Sequence, residues 1–226
     1  MNVLLITGTD TGTGKTILTC ALAAYWQTYR PQESLGIFKP IQTGIGDCEL
    51  YQQLFDLNQT PEEITPLRFQ TPVAPPVAAE REGRAVDLSL VWQGFNHLRQ
   101  QRQWVLVEAL GGLGSPITNE LTVADLARDW RFPVVLVVSV RLGAIAQTVA
   151  NVALARSCGV QLKGIVLNCV QPCSEEDMAN WAPIDLIESL TNVPVLGVLP
   201  YLADTTDVSK LAQVASDLDL ELLIPR

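Results

Sequence analysis

Residues 3–16 read VLLITGTDTGTGKT, and they are the most informative part of the chain. Its apolar start predicts a strand, and the apolar run that follows Lys15 and Thr16 predicts a helix. Three glycines between them predict a tight loop: Gly8, Gly12 and Gly14. A strand leading through such a loop into a helix directs backbone N–H groups and the helix dipole at a phosphate. We therefore predict a nucleoside triphosphate site, with Lys15 on the terminal phosphates and Thr16 on Mg²⁺, although Thr9 replaces the first glycine of the usual motif.

The composition of the 226 residues favours one globular domain over residues 1–226, with 48% apolar and 17% charged residues. A formal net charge of −9 argues against nucleic-acid binding. Five cysteines without a C-x-x-C spacing and a single histidine, His97, give little support to a zinc site or a Ser-His-Asp mechanism. The chain enters a strand at once and has no apolar run of 18 residues, so we expect a cytoplasmic protein without a membrane partner.

Short apolar runs alternate with helical patterns along the chain. The runs that predict strands are 3–7, 35–39, 104–108, 133–140, 162–168 and 193–199, with 221–224 as a possible edge strand. The patterns that predict helices are 15–29, 88–101, 123–130, 144–158, 174–190 and 207–218. This alternation predicts a doubly wound, mostly parallel α/β sheet with helices on both faces, in the three-layer arrangement of P-loop NTPases. We expect the second strand to lie beside the first.

A proline-rich segment covers residues 60–76 and contains five of the 14 prolines. Because proline extends neither helices nor central strands, we expect a long, stiffened loop here. Such a loop is either a lid or binding element, or a plain excursion over the surface.

Polar residues follow several predicted strands at the edge where doubly wound sheets bind ligands. Lys39 ends the second strand, where it either faces a functional cleft or extends its charged end to solvent. Glu108 ends the third strand, in the position of a magnesium-binding acid. Asp47 offers a second oxygen ligand, or caps the helix expected over 49–55.

The fifth and sixth strands end on the side of the phosphate loop where a nucleotide base could bind. Asn168 ends the fifth strand, and Pro200 and Tyr201 follow the sixth. The Asn168 amide could bond to the edge of the base, or could cap a turn that leads into Pro172.

These residues together resemble the dethiobiotin synthetase family along the whole chain. The motifs that carry the resemblance are Gly8-Thr9-Asp10-Thr11, Gly14-Lys15-Thr16, Lys39-Pro40, Thr43-Gly44, Asp47, Val107-Glu108, Gly111-Gly112, Arg141-Leu142-Gly143, Asn168 and Gly197-Val198-Leu199-Pro200. The chain departs from the family pattern at Ala109-Leu110, where Gly-Ala is usual, and at Cys169, where an acid is common.

The resemblance implies an ATP- and Mg²⁺-dependent ligase that converts 7,8-diaminopelargonate and CO₂ to dethiobiotin, by way of a carbamate. It also implies a homodimer with the substrate across the subunit interface. Catalysis would fall to Lys39 and Lys15, and Mg²⁺ to Thr16, Asp47 and Glu108. The implied ATP-binding residues are Gly12, Thr13, Gly14, Lys15, Thr16, Asp47, Glu108, Ala109, Leu110, Gly111, Asn168, Cys169, Pro200, Tyr201, Leu202 and Asp207. The implied substrate-binding residues are Thr43, Leu142, Gly143, Ala144 and Ile145.

Three other functions compete with this interpretation. A partition or septum-positioning ATPase would carry a second lysine five residues before Lys15, where this chain has Asp10. A cobyrinate-type amidoligase would normally carry a further glutamine-hydrolysing domain. A nucleotide-binding module without catalysis would not need Lys39 together with two acids.

Overall fold

The structure is a computed structural model, and it describes residues 2–224. Its strands, in chain order, are β1 Asn2–Gly8, β2 Leu35–Phe38, β3 Ile41–Thr43, β4 Leu67–Phe69, β5 Trp104–Gly112, β6 Pro133–Ser139, β7 Gln161–Asn168 and β8 Val195–Leu199. Its helices are α1 Lys15–Tyr29, α2 Asp47–Leu54, α3 Pro61–Ile64, α4 Pro75–Arg81, α5 Leu88–Gln101, α6 Val123–Asp129, α7 Ala144–Cys158, α8 Glu175–Trp181, α9 Ile184–Thr191, α10 Val208–Ser216 and α11 Leu220–Leu223. None of these helices is long and apolar enough to cross a membrane.

Within the described residues, six strands form one parallel sheet in the order β2-β5-β1-β6-β7-β8. Alternate side chains of β1 point to opposite faces of the sheet, as the pleat of a strand requires. Leu4 and Ile6 pack in the core beneath α1 and α10, whereas Val3 and Leu5 pack beneath α5 and α6. Both faces of β1 are therefore buried, which explains its continuous apolar sequence.

The strand order corrects one expectation. The second strand does not lie beside the first, because β5 separates β2 from β1. The register pairs Phe38 with Val107 and Ile6 with Glu108. Lys39, which follows Phe38, therefore comes level with Glu108, so the two predicted residues still meet.

Three further expectations, about a loop, a strand and a helix, are wrong. Residues 60–76 are not one long, stiffened loop, because α3 and β4 lie within them and β4 pairs with β3 in a second, parallel sheet. Residues 221–224 do not form an edge strand, since the described chain ends with the short helix α11. The helix expected over 174–190 is divided into α8 and α9 at Pro183, because proline cannot continue a helix.

Candidate active site

A cleft of about 540 Å³ opens at the carboxyl ends of β1, β2 and β5. The phosphate loop forms one side of it, and Pro72, Val73 and Ala74 form part of another. The proline-rich segment thus contributes a wall of the cleft, which favours a binding element over a plain surface excursion. The cleft lies where ligands of doubly wound sheets bind.

The phosphate loop takes its shape from glycines at two close approaches. Gly14 precedes α1 with φ 94°, and a Cβ atom there would lie 1.8 Å from the Asn168 amide nitrogen. A Cβ atom on Gly112 would lie 2.9 Å from the carbonyl oxygens of Gly8 and Thr9. Side chains at either position would push the loop out of place. No side chain caps α1, so its first N–H groups stay open to an anion.

Lys15 folds back over this loop. Its Nζ atom donates a hydrogen bond to the carbonyl oxygen of Asp10 at 3.0 Å. Only 6% of the residue is exposed, and burial lowers the pKa of Lys15 below its usual range. The neighbouring Lys39 lowers this pKa further, while Glu108 and Asp47 oppose the shift.

Four side chains form a charged cluster around the predicted magnesium ligands. Lys39 Nζ lies 2.7 Å from Glu108 Oε1 and also forms an ion pair with Asp47. The Thr16 hydroxyl lies 3.0 Å from Asp47 Oδ1 and 3.1 Å from Glu108 Oε1. The structure thus brings Thr16, Lys39, Asp47 and Glu108 together, as the sequence predicts.

Electrostatic interactions favour the charged forms of Lys39 and Asp47. Burial alone would lower the pKa of Lys39, but Glu108 and Asp47 outweigh it and raise the pKa above the usual value. Burial alone would raise the pKa of Asp47, but Lys39 and the Thr16 hydroxyl lower it instead. Opposite charges at this range favour each other's charged forms.

The position of Glu108 differs in one respect from the prediction. Strand β5 does not end at Glu108 but continues to Gly112, so Ala109, Leu110 and Gly111 belong to the strand. Glu108 still faces the cleft because β2 ends one register position earlier, opposite Val107.

The cluster offers magnesium a suitable donor set. Thr16, Asp47 and Glu108 provide only oxygen atoms, which hard divalent cations prefer. Within residues 2–224, no group of three or more His, Cys, Asp and Glu side chains gathers to hold a metal. This donor set fits an ion that takes a few protein ligands and completes its shell with phosphates and water.

Thr43 lies at the end of β3 and lines the same cleft as Lys39 and Leu110. The α7 N-terminus lies elsewhere at this edge of the sheet. Gly143 precedes it with φ 93° and without a side-chain cap, and Leu142 is 84% exposed. Ala144 is buried and Ile145 half-buried in the first turn.

Two of the residues predicted for the base and ribose, Asn168 and Asp207, make hydrogen bonds within the fold. Asn168 is buried, and its Nδ2 atom donates to the carbonyl oxygen of Thr13 at 2.9 Å. Asp207 caps α10 by accepting a hydrogen bond from the Lys210 N–H at 3.0 Å. Pro200 and Tyr201 are exposed after β8, followed by a half-buried Leu202. Asn168 thus supports the phosphate loop, which neither of the two sequence interpretations anticipated.

Cys169 follows Asn168 and is buried, with its sulfur 4.0 Å from that of Met178. Burial, together with the nearby Cys173, raises the pKa of the Cys169 thiol to about 11. The thiol therefore stays neutral near pH 7.

Sequence reasoning missed two residues that contact Glu108. The hydroxyl groups of Thr19 and Tyr51 both donate to Glu108 Oε2. Tyr51 lies four residues after Asp47 on α2, so helical spacing places both on one face. The four-residue spacing from Asp47 could therefore have indicated from the sequence that Tyr51 faces the site.

Comparisons with known proteins identify the family. The family described as AAA domain matches residues 2–209. A Gloeothece citriformis protein named ATP-dependent dethiobiotin synthetase BioD is 61% identical over 225 residues, which cover 100% of both chains. This chain belongs to the ATP-dependent dethiobiotin synthetase family. The BioD protein of Synechocystis sp. is 50% identical, over 97% of this chain and 94% of that one. The BioD protein of Bacillus subtilis is 32% identical, over 99% and 98%.

Membership of this family confirms the predicted enzyme class, an ATP-dependent ligase. Solved structures confirm the predicted P-loop fold. A chain of the MinC:MinD cell division protein complex of Aquifex aeolicus has a TM-score of 0.58 at 16% identity, over 99% of this chain and 94% of that one. MinD of Pyrococcus horikoshii OT3, complexed with Mg-ADP, has a TM-score of 0.57 at 16% identity, over 100% and 90%. These two similarities concern the fold alone.

Proposed function

We propose that this chain is a dethiobiotin synthetase that closes a ureido ring on 7,8-diaminopelargonate with CO₂, converting ATP to ADP and phosphate. One amine takes up CO₂ and becomes a carbamate. A carbamate oxygen attacks the γ-phosphorus, and ADP leaves. The second amine then attacks the carbon of the mixed anhydride, and phosphate leaves as the ring closes. The observation that carries the proposal is the meeting of Lys39 with Asp47 and Glu108 beside the phosphate loop, in a chain 61% identical to a named synthetase.

The two lysines would act by charge. Lys39, held between two carboxylates, would neutralise the carbamate and the transferring phosphoryl group. Lys15 would do the same from the phosphate loop. Phosphoryl transfer depends mostly on positioning and charge neutralisation, so the reaction needs no histidine base. The amines and the carbamate are themselves the nucleophiles.

Thr16, Asp47 and Glu108 would hold Mg²⁺, which neutralises phosphate charge when bound. Thr43 would contact the carbamate, since it lines the cleft beside Lys39. The backbone of the phosphate loop would bind the phosphates, with Asn168 supporting that loop through Thr13. Tyr201 and Leu202 would lie near the base.

An assay of phosphate release tests this function. The purified protein is given Mg²⁺ and ATP, with and without 7,8-diaminopelargonate and bicarbonate, and the organic product is identified by mass spectrometry. We expect phosphate release to depend on the diamine and to match dethiobiotin formation one to one. Equal ATP hydrolysis without the diamine would contradict a synthetase and favour a switch ATPase.

We also propose a homodimer in which each substrate contacts both subunits. An apolar face on α7 is bordered by Trp181 and Leu190, and Leu142 and Leu190 are 84% and 53% exposed. A second copy would cover this face. The uncapped N–H groups at the start of α7 would then bind the carboxylate tail of the substrate held mainly by the other subunit.

Subunit mixing tests the shared site. Lys39→Gln would disable the phosphoryl side, and Ile145→Asp would repel the tail carboxylate. If each site draws on two subunits, mixing the two inactive variants should restore part of the activity. A protein that stays monomeric at micromolar concentration by light scattering and still forms dethiobiotin would contradict the dimer.

A further inference from the structure

The Glu108 carboxylate is surrounded by donors on both sides. On the side of the cleft, Oε1 accepts hydrogen bonds from Thr16 at 3.1 Å and Lys39 at 2.7 Å. On the side of the core, Oε2 accepts from Thr19 at 2.9 Å and from Tyr51. Glu108 itself is completely buried. The two oxygens thus have separate partners, and only those of Oε1 belong to the charged cluster.

On the core side, the Tyr51 hydroxyl donates its single proton to Glu108 Oε2. Thr19 also carries one proton, but its oxygen lies 2.9 Å from both Glu108 Oε2 and the carbonyl oxygen of Lys15, so that proton is shared.

Because Tyr51 and Asp47 lie on the same helix, the hydrogen bond of Tyr51 also affects the position of Asp47. Asp47 is the first residue of the eight-residue helix α2, and Tyr51 lies one turn later. The Tyr51 bond therefore attaches to Glu108 the same helix that carries Asp47. At its start the helix is also held by Gln42, which accepts a hydrogen bond from the Cys48 N–H at 3.0 Å. The distance between the two carboxylates then depends on these contacts of α2, in addition to those that Lys39 and Thr16 make with both carboxylates.

We propose that Tyr51 is a positioning residue, which fixes Asp47 relative to Glu108 and thereby sets the affinity of the site for Mg²⁺. The inference rests on the proposed function for the identity of the ion. Partners that orient metal ligands typically change metal affinity by about 10–100-fold when removed.

A purely structural role would give a different pattern. Tyr51 is fully buried in the core beneath α1 and would support the fold through its ring. Tyr51→Phe keeps that ring and removes only the hydroxyl. A structural role would lower the unfolding temperature and leave the Mg²⁺ dependence unchanged.

The test measures binding of a fluorescent ADP analogue over a range of Mg²⁺ concentrations and in EDTA. For Tyr51→Phe we expect the half-saturating Mg²⁺ concentration to rise about tenfold, with binding in EDTA unchanged. Tyr25→Phe is the matched control, because it removes the hydroxyl of a tyrosine on α1 whose ring packs against Trp26 and Tyr29. It should behave like the unmodified protein.

A double variant shows whether the effect passes through the carboxylate. In a Glu108→Gln background, Tyr51→Phe should change the Mg²⁺ dependence by less than about twofold. If Tyr51→Phe folds poorly, Thr19→Val tests the same oxygen from α1, and we expect about a two- to threefold rise. An unchanged Mg²⁺ dependence in the folded variant would overturn the inference. The binding measurement needs no diamine, so failure to form dethiobiotin would instead count against the proposed function.

Discussion

Two halves of the carboxyl edge of the sheet use their polar residues differently. The phosphate half, formed at the ends of β1, β2 and β5, brings Lys39, Asp47 and Glu108 into direct contact around Thr16. In the base half, formed at the ends of β6, β7 and β8, two polar residues stabilise the fold instead. Asn168 is hydrogen-bonded to the phosphate loop, and Asp207 caps α10.

This difference separates two properties of the site. Opposite charges in contact hold each other in place, so the ion pairs of Lys39 with Asp47 and Glu108 fix the geometry of the phosphate half. Such preorganised charge is what phosphoryl transfer requires. In the base half, the buried amide of Asn168 is hydrogen-bonded to the phosphate loop. We therefore expect changes in the phosphate half to act on turnover, and changes in the base half to act on loop geometry and stability.

The largest effect should follow Lys39→Gln. A fixed cation at the carbamate and phosphoryl group favours the transition state over mere occupancy, and its charge acts strongly in a site shielded from water. We expect kcat to fall by roughly a hundredfold or more, on the order of 3 kcal/mol, while ATP affinity changes far less. Steady-state kinetics and nucleotide binding measure the two quantities.

Two variants calibrate this result. Lys210→Gln removes an exposed lysine on α10 and should leave kcat unchanged. Lys15→Gln should damage both turnover and ATP binding, because Lys15 belongs to the phosphate loop. If Lys39→Gln abolished ATP binding but left the turnover of bound substrate near normal, Lys39 would be a nucleotide anchor and the comparison would fail.

The next effect in size concerns Glu108→Gln. The variant keeps the shape of the side chain but loses the charge that faces Lys39 and the proposed ion. We expect turnover at limiting Mg²⁺ to fall at least about tenfold, or about 1.4 kcal/mol. Turnover measured as a function of Mg²⁺ concentration checks this, with the exposed Glu120→Gln as control. Full activity of Glu108→Gln at limiting Mg²⁺ would contradict the metal assignment.

The sequence predicted that Lys39, Asp47 and Glu108 gather at one edge of the sheet because the signals for this are local. The loop before Lys15 has a spacing that only a few backbone shapes satisfy, and Lys39 and Glu108 directly follow or interrupt buried apolar runs. Since the carboxyl ends of parallel strands share one edge, their meeting needed no knowledge of strand order. That explains why it was correctly predicted although β5, and not β1, turned out to be the neighbour of β2.

The remaining features depend on contacts between distant residues. The small β3–β4 sheet joins Ile41 to Leu67, and no pattern within either short segment indicates the pairing. Residues 221–224 are too few for their periodicity to distinguish a strand from a helix. Asn168 reaches Thr13 across 155 positions of sequence, so its support of the loop could be found only in three dimensions.

A smaller effect should follow Asn168→Ala. The change leaves the carbonyl oxygen of Thr13 without its partner and removes the amide that packs over Gly14. A buried hydrogen bond of this kind is worth about 1 kcal/mol, so nucleotide affinity should fall roughly fivefold. Because the loop contacts phosphates, we expect the same loss for ATP and GTP, measured by titration calorimetry.

The exposed Asn119→Ala provides the control for this measurement. If Asn168→Ala lowered the affinity for ATP much more than the affinity for GTP, the amide would bind the edge of the base, as one of the sequence interpretations holds. The base half would then contribute directly to nucleotide selection.

The smallest effect should follow Asp207→Ala. The Asp207 carboxylate caps α10 through the Lys210 N–H, and α10 packs on the core with Leu211 and Ala215. Loss of an N-cap lowers the free energy of unfolding by about 0.5 kcal/mol when the cap is exposed. Urea denaturation should detect this. Asp217→Ala at the opposite end of α10 should not destabilise the protein, because an acid there opposes the helix dipole.

If Asp207 acts only as a cap, nucleotide affinity stays unchanged. A loss of affinity without a loss of stability would make Asp207 a ribose ligand, as the family resemblance implies, and would extend the binding site into the base half.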